Sequence, residues 1–193
     1  LVAPPGLDVT DAAQLSNLLS SVADRFVARP MNAGIAIGVT RLRERQVVYR
    51  GVAAKDDSPE RAVGASTMFE IGSITKTFTG LALAHAVTNG AVTLEQPIGQ
   101  FLPASRQFHR GVRAIPFGAV ATHTASLPND PPSVSLPKAL FAEHPFGQVT
   151  DRQLFESLSG IGVGPPSDSS YAYSNFGYML LGRLLEDVTG SSY

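Results

Sequence analysis

The chain has 193 residues, 44% of them hydrophobic, with a net charge of −1. This length and composition predict a globular domain with a core, and the absence of a basic run argues against nucleic acid or an anionic membrane surface as a partner. There is no cysteine, which excludes disulfides and a thiolate nucleophile, and no apolar run approaches the roughly 18 residues of a membrane span.

The first third of the chain predicts a helix followed by a hairpin. Residues 1–9 contain two prolines and are expected to be an extended lead-in. Thr10 is expected to cap a helix from Asp11 to about Ala28. Its apolar stripe comprises Leu15, Leu18, Leu19, Val22 and Phe26.

Two β-like runs follow, Ala33–Thr40 and Gln46–Ala53. The connection Arg41–Arg45 is too long for a two-residue turn but short enough for a hairpin. Two strands alone are marginal in water, so the sheet is predicted to be incomplete, with an open edge where another chain could pair.

The stretch Phe69–Lys76 opens a predicted helix from Ile74 to Asn89. Apolar residues at helical spacing form its expected buried stripe: Phe78, Leu81, Ala82 and Ala86. Ser73 then lies at the helix N-terminus with Lys76 three residues on, on the same face. A base beside the hydroxyl could take its proton, and both burial and the helix N-terminus favour an uncharged lysine.

Ser-x-x-Lys by itself is weak evidence, because serine is also a common helix cap. A second copy, Ser135–Lys138, lies in a Pro/Ser stretch with no long apolar helix behind it, and we regard it as a chance match.

The remaining elements are mostly helical. Leu94–Pro103 is a proline-punctuated connection, and Pro116 is expected to open a short helix to about Thr122. Thr150–Gln153 has the form of a capping box and starts a helix that Gly160 ends. The last predicted helix runs from about Phe176 to Thr189.

Tyr173-Ser174-Asn175 precedes that last helix. In an extended segment, residues two apart point the same way, so Tyr173 and Asn175 would face one site. Tyrosine can relay a proton, and an amide offers both donor and acceptor. The alternatives are a packed aromatic at Tyr173 and a helix cap at Asn175.

The order of four segments closely resembles the serine β-lactamase and penicillin-binding superfamily, and in particular its class C branch, which includes D,D-peptidases and β-lactamase-like esterases. The segments read FEIGSITKTFTG from Phe69, LEQPI from Leu94, ATHTASLP from Ala121 and YSNFGYMLLG from Tyr173. The Ser-x-x-Lys signature is shared with class A enzymes, whereas Tyr-x-Asn indicates class C. The resemblance covers about 34–193.

This resemblance implies an α+β fold in which helices flank an antiparallel sheet, within one domain over 1–193 (lead-in 1–9, helix and two strands 10–53, mostly helical part 54–193). It also implies a role for each motif residue. Ser73 would be the nucleophile, and Lys76 and Tyr173 would share the proton transfers. Asn175 would hold Lys76 and bind substrate, and Asn129 is a candidate substrate contact.

The family's third motif, Lys-Thr-Gly or His-x-Gly, has no match in the 18 residues after Asn175, and His109-Arg110-Gly111 comes too early. The chain is therefore expected to correspond to the N-terminal part of a family member, without the C-terminal strands of the sheet. We expect weak activity or none unless another chain supplies them, since one lost oxyanion donor costs about 10²–10³ in rate.

Three functions stay open: a β-lactam hydrolase, a D,D-peptidase or short-chain esterase with the same residues, and a non-catalytic or penicillin-binding module. The expected partner is a small β-lactam or D-Ala-D-Ala-type molecule, and the expected compartment is periplasmic or extracellular. No cofactor is predicted. His85, His109, His123 and His144 show no metal-ligand spacing, so no metal is predicted, and His123 is expected to be structural.

Overall fold

The computed structural model describes residues 6, 8, 10–41, 43–54, 60–132, 134, 147, 149–162 and 170–193. The chain divides into two compact units, Leu1–Glu70 and Ile71–Tyr193. The second predicted Ser-x-x-Lys, Ser135–Lys138, and His144 lie outside the described residues. Within the described part of the chain, no helix is both long and apolar enough to cross a bilayer.

The first unit begins with helix α1, Ala12–Val27. The side chain of Asp11 caps it by accepting hydrogen bonds from Ala13 N and Gln14 N, so the prediction that Thr10 is the cap was wrong by one residue. Asp8 instead accepts from the backbone N–H of Thr10. Threonine and aspartate are both good N-caps, so the local backbone decides which of the adjacent residues Thr10 and Asp11 caps α1.

Strands β1, Gly34–Arg41, and β2, Glu44–Gly51, pair antiparallel. The pairing extends to Arg41 opposite Glu44, which leaves two residues between the strands and corrects the longer connection predicted from sequence. Alternate residues of β1 pack with α1 and with buried Val48, as the two-residue period of a strand requires: Ile35, Ile37 and Val39. One face of the hairpin is thus covered by α1.

The second unit is helical. It contains two short 3₁₀ turns: Gly72–Ile74 lies directly before helix α2, and Ile98–Gln100 lies between α2 and the next helix. Among its described residues the α-helices are α2 (Thr75–Thr88), α3 (Arg110–Arg113), α4 (Phe117–Ala121), α5 (Asp151–Ser159) and α6 (Asn175–Thr189).

Helix α6 lies at the centre of this unit and packs against α2, α4 and α5. Its inward residues are fully buried, among them Phe176, Leu180 and Leu184. The predicted capping box at Thr150 and Gln153 is present and starts α5, which ends at Gly160. Helix α6 ends at Gly190, whose φ of 69° lies in the left-handed region that glycine tolerates.

The predicted buried stripe of α2 was half right. Ala86 is buried and Ala82 packs partly buried against the core, but Phe78 and Leu81 are 59% and 66% exposed, and Thr79 and Leu83 are buried instead. Helix α2 is apolar on more than one side, so the sequence gives no single stripe, and packing against α6 selects the buried face.

We predict that Leu184→Ala lowers the free energy of unfolding by about 2–5 kcal/mol, because the side chain is fully buried and its removal leaves a cavity. The exposed Leu81 offers a matched control on a helix of the same unit, and Leu81→Ala should change stability by about 0.5 kcal/mol or less. Urea titrations of both variants measure this, and equal losses would contradict a core centred on α6.

Candidate active site

Ser73 lies in the 3₁₀ turn Gly72–Ile74, which leads directly into α2. Gly72 has a φ of 52°, a left-handed conformation that favours glycine and turns the chain into the helix. The turn leaves Ser73 exposed, two residues before Thr75, the first residue of α2. A substrate can therefore approach the hydroxyl from solvent.

Lys76 reaches back over the first turn of α2 to the serine. Its Nζ lies 3.1 Å from Ser73 Oγ and 2.7 Å from Asn175 Oδ1. It also lies over two aromatic rings, 4.9 Å from the centroid of Tyr173 and 5.7 Å from that of Tyr178. The half-buried amine is therefore held by two oxygens and two ring faces.

Tyr173 approaches the serine from the other side. Its hydroxyl oxygen is 2.6 Å from Ser73 Oγ, across 100 residues of sequence. A hydrogen bond with Lys76 and, to a smaller extent, one with Ser73 lower the pKa of Tyr173 below its usual value. The phenolate is thus easier to form here than in water.

Asn175 is free to face Lys76 because its neighbour does the capping. Ser174 Oγ accepts from Gly177 N at 2.8 Å and donates to Pro128 O at 2.6 Å. The alternative interpretation of Asn175 as the helix cap was wrong, since the cap of α6 is Ser174. The Asn175 amide points instead to Lys76 and to Asp130.

The segment around residues 128–130 lies alongside the start of α6. Asn129 O accepts from Phe176 N at 3.0 Å. Asn175 Nδ2 donates to Asp130 Oδ1 at 2.9 Å and lies 3.4 Å from Asn129 Oδ1, the long limit of a hydrogen bond. The predicted substrate contact Asn129 is exposed beside Asn175, and Asp130 makes the shorter contact.

His123 supports the tyrosine segment from behind. Its Nδ1 accepts from Ser174 N at 3.0 Å and its carbonyl accepts from Ala172 N at 2.8 Å. The buried ring lies 4.6 Å from the ring of Tyr173 and 5.0 Å from that of Tyr178. With its ring nitrogen committed to a backbone N–H, His123 anchors the loop, in agreement with the structural role predicted for it.

A cavity of about 850 Å³ opens beside this cluster. Lys76, Asn175 and Arg183 are among its lining residues, whereas Ser73 and Tyr173 are not. Arg183 is already paired with Asp151 and Asp187, both at 2.7 Å. The Ser73 hydroxyl therefore lies outside this cavity.

All five predicted site residues thus lie in one cluster of the second unit. Sequence reasoning missed three residues that complete it: Asp130, Ser174 and Tyr178. Ser174 could have been found, since a serine directly before an apolar helix is a good cap, whereas nothing in the sequence distinguished Asp130 from its neighbours. In the part of the chain that the structure describes, no three His, Asp or Glu side chains are grouped as metal ligands.

Solved structures with the same fold identify the architecture. A class C beta-lactamase from Rhodobacter sphaeroides superposes with a TM-score of 0.69 at 26% identity, over 92% of this chain and 45% of that one. A beta-lactamase/D-alanine carboxypeptidase from Pseudomonas syringae gives 0.69 at 27% identity, over 91% and 45%. The predicted fold class is confirmed: a β-lactamase/transpeptidase-type arrangement of helices with a two-stranded antiparallel sheet, over part of the solved chains.

The family model described as Beta-lactamase matches residues 22–193, and the chain belongs to this family. A beta-lactamase from Pseudomonas fluorescens is 33% identical over 95 residues, which cover 49% of this chain and 26% of the relative. A putative D-alanyl-D-alanine carboxypeptidase from Escherichia coli K12 is 25% identical over 86% of this chain and 41% of its own length. The chain thus spans less than half the length of these relatives.

The anchoring role of His123 generates a pH prediction. Burial and, to a smaller extent, the positive charge of Lys76 lower the pKa of His123 below about 6.5. Three further titratable side chains pack against its ring: Tyr171, Tyr173 and Tyr178. Because the unfolded chain takes up this proton first, the stabilisation is complete above pH about 6.5 and is lost as the pH falls towards the folded pKa. Unfolding free energies measured between pH 7.5 and 5 should show this loss.

The His123→Asn variant should be less stable throughout but lack that part of the pH dependence, because the amide oxygen can still accept from Ser174 N and does not titrate. Asparagine also tolerates the φ of 61° at this position. The exposed His85 gives the control, and His85→Asn should keep the wild-type slope. An unchanged slope in His123→Asn would contradict the anchoring role.

Proposed function

We propose that this protein is a serine acyl hydrolase that opens β-lactam amides through an acyl-enzyme on Ser73. The observation that carries the proposal is the convergence on Ser73 Oγ of the Tyr173 hydroxyl at 2.6 Å and Lys76 Nζ at 3.1 Å. A hydroxyl becomes a useful nucleophile only when a base within hydrogen-bond reach takes its proton, and both groups are within that reach.

In the proposed acylation, Tyr173 acts as a phenolate and accepts the proton of Ser73 as Oγ attacks the carbonyl carbon. The ring C–N bond of the lactam breaks, the nitrogen takes the proton back from Tyr173, and the acyl group remains on Ser73 as an ester. Lys76 favours the phenolate, first by its hydrogen bond and to a smaller extent by its charge, and so lowers the pKa of Tyr173. Tyr173 is the better candidate for the base because it makes the shorter contact to the serine.

Deacylation follows with water in place of the serine. Tyr173 takes a proton from the water as its oxygen attacks the ester carbon, and the Ser73 oxygen leaves and is reprotonated. The backbone N–H of Ser73, at the start of α2, supplies one donor for the oxyanion in both steps. In the proposed complex, Asn175 and the neighbouring exposed Asn129 contact the substrate's amide side chain.

Ser73, Lys76, Tyr173 and Asn175 also suit a second substrate class. The Escherichia coli relative is a putative D-alanyl-D-alanine carboxypeptidase, and that reaction needs the same attack on a carbonyl and the same proton return to a leaving nitrogen. Short-chain esters need only the attack. Rates on a chromogenic cephalosporin, a D-Ala-D-Ala peptide and a p-nitrophenyl ester, measured side by side, would rank the three.

We predict that the protein gains the mass of a labelled penicillin on Ser73, and that Ser73→Ala abolishes this adduct because no other hydroxyl lies between Lys76 and Tyr173 in the described site. Intact-mass spectrometry with peptide mapping measures both. A penicillin adduct that persists for hours would indicate binding without turnover. A folded protein with no adduct would contradict the proposal.

Tyr173→Phe should slow acylation by about 10²–10⁴-fold, the usual contribution of a positioned acid–base group, while leaving the fold intact. Tyr171→Phe is the matched control, because Tyr171 also packs against the His123 ring but is 68% exposed and is not bonded to Ser73. Stopped-flow or quench-flow rates of adduct formation measure the effect. Equal rates in the two variants would remove Tyr173 from the mechanism.

A further inference from the structure

Asp130 lies beside Asn175 and takes no part in the acylation and deacylation steps proposed above. Its Oδ1 accepts a hydrogen bond from Asn175 Nδ2 at 2.9 Å, and the other end of the same amide accepts from Lys76 Nζ at 2.7 Å. The three side chains form a row, carboxylate to amide to amine, that ends at Ser73.

An asparagine side chain can rotate by half a turn and exchange its oxygen and nitrogen, so its neighbours must fix its orientation. Ionised Asp130 only accepts hydrogen bonds, and a lysine ammonium only donates them. One orientation of Asn175 satisfies both neighbours, with nitrogen towards Asp130 and oxygen towards Lys76. The opposite orientation would set donor against donor and acceptor against acceptor.

Asp130 is itself held in place by the backbone around it. Asn129 O bonds Phe176 N, and Pro128 O bonds Ser174 Oγ, so residues on both sides of Asn175 tie this segment to the start of α6. Asp130 is half-buried, which strengthens a charge-assisted bond relative to a fully exposed one.

We propose that Asp130 is a positioning residue that orients the Asn175 amide and so keeps Lys76 against Ser73 and Tyr173. This inference rests on the proposed function. Without the carboxylate, Asn175 can rotate, Lys76 loses its shortest contact and moves away, and Tyr173 loses the hydrogen bond that most lowers its pKa.

The test is the pH dependence of Ser73 acylation by labelled penicillin in wild type, Asp130→Asn and Glu95→Gln. Asp130→Asn keeps the size but offers a donor as well as an acceptor, so it no longer selects one orientation of Asn175. In Asp130→Asn we expect the acylation rate at neutral pH to fall about 10–100-fold, because this is the range for loss of a hydrogen bond to a charged group. The acid limb of its pH–rate profile should move to higher pH. Glu95→Gln, which removes an exposed carboxylate of the same unit, should match wild type.

The same experiment in an Asn175→Ala background shows whether Asp130 acts through Asn175. If it does, Asp130→Asn adds no further loss there, because coupled residues are not additive. An undiminished further loss, or a lower rate with an unmoved pH profile, would overturn the inference and leave Asp130 a general structural residue.

A measurement independent of catalysis separates this inference from the proposed function. In wild type, the side-chain amide protons of Asn175 should give resolved NMR signals that exchange slowly with water, and Asp130→Asn should speed that exchange at least about tenfold, as expected for loss of a charge-assisted bond. Missing acylation with this NMR change would contradict only the hydrolase function. Acylation with unchanged Asn175 exchange would contradict only the role of Asp130.

Discussion

The contact between Lys76 Nζ and Asn175 Oδ1, at 2.7 Å, is the interaction on which the site depends. It joins the first turn of α2 to the first residue of α6 across 99 residues of sequence. The buried packing of α2 against α6 brings these two helix starts together, and the polar contact then sets their register. Serine and tyrosine meet because each is carried on the segment that leads into one of these helices.

Helix starts are well suited to this task because their backbone N–H groups lack partners within the helix. In α6 the cap is made by Ser174, which leaves the next side chain, Asn175, available for the site. In α2 no side chain caps the first turn, and the 3₁₀ turn that precedes it presents Ser73 to solvent. The difference between the two helix starts thus leaves Ser73 exposed to solvent and turns Asn175 towards Lys76.

Much of this arrangement could be predicted from the sequence, because it depends on local patterns. The capping box at Thr150, the Ser73–Lys76 spacing and the position of Tyr173 before an apolar helix are all encoded within a few residues. Asp130 could not be predicted, since its role arises from a contact across 45 residues that no local pattern reports. Half of the predicted buried face of α2 was wrong for a similar reason: Thr79 is buried and Phe78 exposed because the packing partner, not hydrophobicity, selects the face.

The neutral amide of Asn175 between Lys76 and Asp130 has an electrostatic consequence. A carboxylate placed directly on Lys76 would cancel much of the positive field at Tyr173, since opposite charges a few ångströms apart screen each other's effect on a third group. An amide oxygen also holds the amine by a hydrogen bond but carries no net charge. The charge of Lys76 therefore remains available to lower the pKa of Tyr173, while the carboxylate of Asp130 acts one side chain away, on orientation. Holding Lys76 and orienting the amide that holds it are separate tasks, and the sequence assigns the first to Asn175 and the second to Asp130.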